Sequence, residues 1–203
     1  MLRRLMMAAG TAAPVSYIGA GTPFQGETLT LNLAVDTGAQ DGDLMVVILG
    51  TNSARTFSGF TGWTSRASPS IGSARWYVYS KVRSGETSVS FTHSANDACT
   101  GMLLVFRNGA VLTTGAASGA SATLTKSSGT SMLLALALNS GVPAPTTPTF
   151  SGYTHQSFVG FVSGSNRFFA TCAETRTGIA AGSTTATMGW GGANRYAVLL
   201  EIG

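Results

Sequence analysis

The chain states nearly the same thing twice, and that repetition restricts it to folds assembled from two like β units. Phe57-Ser58-Gly59-Phe60-Thr61 returns as Phe150-Ser151-Gly152-Tyr153-Thr154. The apolar run at 44–49 returns at 132–138, and Ala74-Arg75-Trp76-Tyr77-Val78-Tyr79 is echoed by Asn166-Arg167-Phe168-Phe169-Ala170-Thr171. Gly85-Glu86-Thr87-Ser88-Val89-Ser90-Phe91 is echoed by 182–188, and the closing aliphatic segment 101–106 by 196–201. The partners stay about 88 to 97 residues apart, so order, spacing and chemical type all recur, as in a duplicated unit. Strands that recur in this way leave little sequence over for a catalytic apparatus.

The repeated segments read as strands. Residues 27–35 alternate, with Leu29, Leu31, Leu33 and Val35 expected on one buried face. Residues 44–49 are apolar on both faces and belong in mid-sheet, after the turn Asp41-Gly42-Asp43. Residues 51–71 and 94–100 read as loops, and Asn108-Gly109 as the turn between the units. No segment carries a sustained 3.6-residue period with caps. The expectation is an all-β, jelly-roll-like antiparallel β-sandwich of two tandem halves, 14–108 and 109–203, behind an arm of residues 1–13.

Composition narrows the function. Of 203 residues, 44% are hydrophobic and only 10% charged, against roughly a quarter charged in ordinary soluble domains. The net charge is +4, but only Arg3 and Arg4 are adjacent among the twelve Lys and Arg. Neutralising several phosphates needs basic residues clustered on one face, so no nucleic-acid partner is expected. No run of eighteen apolar residues exists, so no membrane-spanning helix is expected.

Sites for chemistry are hard to find in the sequence. Cys99 and Cys172 form no Cys-x-x-Cys pattern, and His93 and His155 fall at non-equivalent places in the two repeats. Asp41 and Asp43 flank a glycine but lack the longer ligand series of a calcium loop. Residues 160–164 miss the Gly-x-Ser-x-Gly pattern, and Gly189-Trp190-Gly191-Gly192 lacks the lysine and helix of a phosphate loop. No catalytic residue, metal ligand or cofactor is expected. Trp76 and Trp190 read as strand and core residues. Trp63, in the loop after Gly62, is the candidate glycan or partner contact, weighed against a loop-packing role.

The start of the chain has a basic and a short apolar part, diluted at Gly10 and Thr11, unlike a signal peptide's apolar core. Leu2, Leu5, Met6 and Met7 offer adaptable apolar contacts, and Arg3 and Arg4 polar fixing. The expectation is an arm that docks on another protein, the alternative being a terminus folded back on its own sandwich.

The segments GDLMVVILG, GFTGWTS, RWYVYSKVRSGETSVSFTHS and GMLLVFRNG resemble a β-sandwich module of tailed-bacteriophage virion structural proteins. The resemblance spans roughly residues 27–203, and its motifs maintain the fold. The opening MLRRLMMA is similar to the docking tag of small phage structural proteins. This implies a non-enzymatic, homo-oligomeric virion protein at the tail tip or fibres, in contact with other virion proteins. The alternatives are a capsid decoration protein or a carbohydrate-binding module recognising a host surface glycan. The resemblance supplies no catalytic residues.

Overall fold

The computed structural model describes residues 13–51, 55–140, 150–163, 167–189 and 194–203. The docking-arm residues Leu2 to Met7, and Trp190, lie outside them. Among the described residues there is no helix, and every strand pairing is antiparallel. No helix of the described residues is therefore long and apolar enough to cross a membrane.

The two-sided apolar segments take the centres of two arrays of five strands, the first the main path of an eight-stranded sheet and the second a five-stranded sheet. In the first, β3 (Leu44–Thr51) lies between β7 (Ala74–Val82) and the C-terminal part of β8 (Ser88–Arg107). β1 (Ser16–Ala20) flanks β8 and β5 (Thr64–Ala67) flanks β7, giving the order β1-β8-β3-β7-β5. In the second, β11 (Met132–Ser140) lies between β13 (Arg167–Arg176) and β15 (Arg195–Ile202). β9 (Val111–Ser118) flanks β15 and β12 (Thr154–Ser163) flanks β13, giving β9-β15-β11-β13-β12. Both sheets arrange their strands in the same chain-order pattern.

Each sheet has a small outer partner. β2 (Phe24–Ala34) pairs with β8, and β10 (Ser121–Lys126) with β14 (Gly182–Thr187). β4 (Phe57–Ser58) pairs with β8 at His93, and Phe150 makes the corresponding bridge to Met188. β6 (Ser70–Ile71) forms a short hairpin with β7.

Strand alternation then sorts the apolar side chains into three stacked cores. Leu44, Val46 and Ile48 of β3 face Met132, Leu134, Leu136 and Leu138 of β11 across the middle core, with Trp76, Phe106 and Ile202. The opposite faces of the same strands supply the outer cores. Met45, Val47 and Leu49 pack under Leu31, Leu33, Val89 and Phe91. Leu133, Ala135 and Ala137 pack under Ala122, Leu124, Ala186 and Phe150. The result is four layers, with the two five-strand arrays back to back inside.

Three local readings are corrected. The register of β2 shifts between Thr28 and Thr30, and this bulge leaves Leu29 53% exposed while Leu31 is fully buried. Residues 94–100 are not a loop, for β8 runs unbroken through them. The segment 51–71 contains β4, β5 and β6. The repeat register also differs at β7 and β13. Trp76 pairs with Gly50, and the matching position opposite Leu138 is Thr171, not Phe168. The turn between the halves is tight, with Asn108 at φ +56°, as Asn tolerates.

These positions predict unequal costs in urea unfolding. Leu31→Ser should lose roughly 2–5 kcal/mol, as large-to-small core changes do. Leu29→Ser should stay within about 0.5 kcal/mol, because the bulge has already placed it in water. Equal losses at the two leucines would restore the uninterrupted alternation. Trp76→Ala should cost roughly 3–5 kcal/mol.

Candidate functional site

Titratable side chains that the sequence scatters are sorted by the sheets into separate settings. Some serve the scaffold. Asp43 accepts hydrogen bonds from the Gln40 N–H at 2.7 Å and from Arg107 Nε and Nη2 at 3.2 and 3.1 Å, fixing the start of β3 to the end of β8. Asp41 accepts from Arg83 Nη1 at 2.6 Å and the Gly85 N–H at 2.7 Å. Both carboxylates of the Asp-Gly-Asp turn are thus engaged by arginines. Glu201 is fully buried and accepts from the Ser127 and Ser128 N–H groups and the Ser127 and Ser131 hydroxyls. Burial raises its pKa, but those donors outweigh it and hold the carboxyl below its ordinary value. Lys126, also buried, donates to the carbonyls of Ile179, at 2.9 Å, and of Ser128.

The aromatic candidates are packed. Trp63 is half-buried over an outer core, its ring centroid 5.7 Å from that of Phe91. The Trp63 backbone N–H donates to the Phe60 carbonyl, as the Tyr153 backbone N–H donates to that of Phe150. Gly62 and Gly152, at φ +79° and +78°, occupy the same place in these two turns. Phe60 stacks on Tyr79, centroids 4.0 Å apart. Phe150 combines two roles that the first half divides, pairing as Phe57 does and closing the turn as Phe60 does.

His93 lies buried in β8, with Nε2 3.0 Å from Thr51 Oγ1 and its ring centroid 4.7 Å from that of Phe57. Burial pushes its pKa below the ordinary value.

One cluster converges without an evident scaffolding task. His155 pairs with Glu174 across β12 and β13, and Cys172 lies two residues before Glu174 on the same face. Cys172 Sγ is 3.4 Å from His155 Nδ1 and 3.7 Å from Glu174 Oε1, and Nδ1 is 4.0 Å from Oε1. Cys172 and Glu174 are buried, whereas the His155 side chain is 46% exposed. Glu174 Oε2 accepts from the Phe150 N–H at 2.7 Å. Burial raises the pKa of Glu174 and pushes the Cys172 thiol well up, the nearby carboxylate adding to the latter.

This geometry does not make a catalytic relay. A relay uses the two imidazole nitrogens on opposite partners, whereas here thiol and carboxylate approach the same Nδ1. Three groups directed at one point are instead the arrangement of a chelate. Nothing in sequence spacing marks it, because the ligands come from two strands whose register sets the contact. Alternation in Cys172-Ala173-Glu174 puts two of the three groups on one strand face, and only the register brings His155 to them.

Two shallow grooves occupy matching places where the halves meet. One, about 380 Å³, is lined by Leu44, Gly62, Arg66, Ser80 and Val111. The other, about 390 Å³, is lined by Tyr17, Met132, Gly152, Gln156 and Thr175. Arg66 donates to Ser80 Oγ at 2.8 Å in the first, and Gln156 to Thr175 Oγ1 at 2.7 Å in the second. Comparison of the chain with protein families, curated proteins and solved structures finds no match.

The buried imidazole predicts a pH response. Below pH ~6.5 the unfolded chain binds a proton that folded His93 resists, so stability falls with falling pH. His93→Gln should flatten urea-derived stability between pH 6.5 and 5, and an unchanged slope would remove His93 as its source. Glu86, held down to about 2 chiefly by Lys81 at 2.6 Å, acts lower. Its stabilisation is complete above the ordinary glutamate value of about 4.3 and is lost as pH falls towards 2.

Proposed function

We propose that this chain is a non-enzymatic structural protein on the surface of a tailed phage or phage-like particle, at the tail tip or fibres. Residues 1–13 attach it, and the sandwich behind them is displayed. The observation that carries the reading is how the strands are spent. Both faces of β3 and β11 are committed to three stacked cores, and the outer β10–β14 pair presents hydroxyls rather than charges. Thr123 meets Thr185 at 2.7 Å and Ser121 meets Thr187 at 2.8 Å on the surface of the β10–β14 pair. Ser90 donates to Asn32 on the surface of the β2–β8 pair. Such a rigid, weakly charged body suits dense packing beside copies of itself and other particle proteins. The sequence resemblance to phage virion sandwiches points the same way.

Burying Leu2, Leu5, Met6 and Met7 in a partner contributes about 1.5–3 kcal/mol per side chain. Ordering the arm costs about 1–2 kcal/mol per residue. The ordering cost matches or exceeds the gain, so one arm binds weakly, and stable attachment needs several copies or added contacts from the sandwich. Deleting residues 1–10 should therefore leave a soluble protein with an unchanged melting temperature that no longer incorporates into particles. Normal incorporation of the truncated chain would refute the anchor. Copy number separates placements: a few chains per particle fits the tail, and hundreds would move the protein to the capsid surface.

A further inference from the structure

We propose that His155, Cys172 and Glu174 bind a divalent cation of borderline softness, with Zn(II) the best match. The three side chains supply nitrogen, sulfur and oxygen, the ligand atoms that zinc takes in proteins. Ordinary Zn–S, Zn–N and Zn–O lengths in a tetrahedron separate such ligand atoms by about 3.3–3.6 Å. The observed separations are 3.4, 3.7 and 4.0 Å. Closing around an ion needs the His155 Nδ1–Glu174 Oε1 separation to shrink by about 0.6 Å, mostly by the half-exposed His155 ring.

The first half of the chain provides an internal comparison. His155 and Glu174 are register partners beside a bulge at Gln156, and Ser65 and Tyr79 are register partners beside a bulge at Arg66. The position of Cys172 corresponds to Tyr77. Where the first half places Ser65, Tyr77 and Tyr79, with Phe60 stacked on the tyrosines, the second half places three metal-ligand types. A scaffold that needed only filling there has an aromatic solution, already used once.

The setting is also that of a ligated carboxylate. The Phe150 N–H holds Glu174 Oε2 and leaves Oε1 facing the cysteine and histidine, the kind of outer contact that orients a ligand. The thiolate selects zinc over magnesium and calcium. On binding, the Cys172 S–H bond breaks, its proton leaves to solvent and a Zn–S bond forms, with no change of oxidation state. Three protein ligands leave the fourth position to water on the side where His155 meets solvent. The ion would tie β12 to β13 at the bulge. This proposal is independent of where the protein resides.

Cobalt(II) is the test, because it reports thiolate and geometry together. The full chain, reduced and stripped with a chelator, should bind one equivalent of Co(II). The spectrum should show a thiolate-to-cobalt charge-transfer band and the intense visible bands of four-coordinate cobalt, and Zn(II) should abolish both. His155→Ala, at a half-exposed position, should keep its fold and weaken Co(II) binding by more than ~100-fold. Cys172→Ala should lose the charge-transfer band, and Cys99→Ala should retain it. Zn(II) should raise the melting temperature of the parent chain and not that of His155→Ala. Visible bands without charge transfer, a band that follows Cys99, or undiminished binding by His155→Ala would each overturn the proposal.

Discussion

Two apolar sheet faces, one carrying Leu44, Val46 and Ile48 and the other Met132, Leu134, Leu136 and Leu138, leave water by covering each other. Among the described residues neither half has another cover for that face, because its own small outer pair already lies against the opposite side. At about 1.5–3 kcal/mol for each fully buried aliphatic or aromatic side chain, the middle core binds the halves into one body. Turn chemistry, the Asn108 junction and the placement of both grooves follow from that contact. It also sets what the chain can change freely: the middle core must match across the halves, while each outer core answers only to its own sheet.

The outer cores do differ. The first is aromatic, with Phe57, Phe91, Tyr77 and Tyr79 around Phe60 and Trp63. The second is built largely of alanine, with Cys172, Met188 and Phe150. Shorter side chains in the second bring β10 and β14 over a smaller interior. They also allow polar groups at its edge, where Glu174 and Glu201 are both buried and both hydrogen-bonded. The second half thus buries two glutamates and a lysine around its outer core, and the first half buries rings, with His93 and Asp43 among its buried ionisable groups.

Most of the fold was legible because it rests on period-two alternation and on apolar runs long enough to demand a place in mid-sheet. Residues 44–49 and 132–138 carried that signal with no competing reading. Leu29 was misplaced because a bulge changes strand phase without leaving a mark in composition. Residues 94–100, polar and mixed, looked like a loop because their burial comes from β2 and β3, distant in sequence. The His155–Cys172–Glu174 cluster was hidden for a related reason. Metal-ligand spacing in a sequence records ligands a few residues apart, whereas His155 and Cys172 are 17 residues apart and meet through the β12–β13 register. The N-terminal residues that carry the attachment reading, Leu2 to Met7, are argued from chemical type alone.

β8 passes from the outer pair into the inner sheet without a break, twenty residues in one strand, or about 65 Å if fully straight. Its counterpart is divided, since β14 ends at Thr187 and β15 begins at Arg195. The two halves therefore differ as mechanical objects. Tension on the first half runs along a single backbone whose hydrogen bonds to β2 and β3 are loaded in shear and must yield together. In the second half the β10–β14 pair is a sheet of its own, without ladder hydrogen bonds to the five-stranded sheet, so the outer pair can peel before the inner sheet feels the load. A body held at one end and pulled at the other would keep its N-terminal half as the stiff member and its C-terminal half as the compliant one.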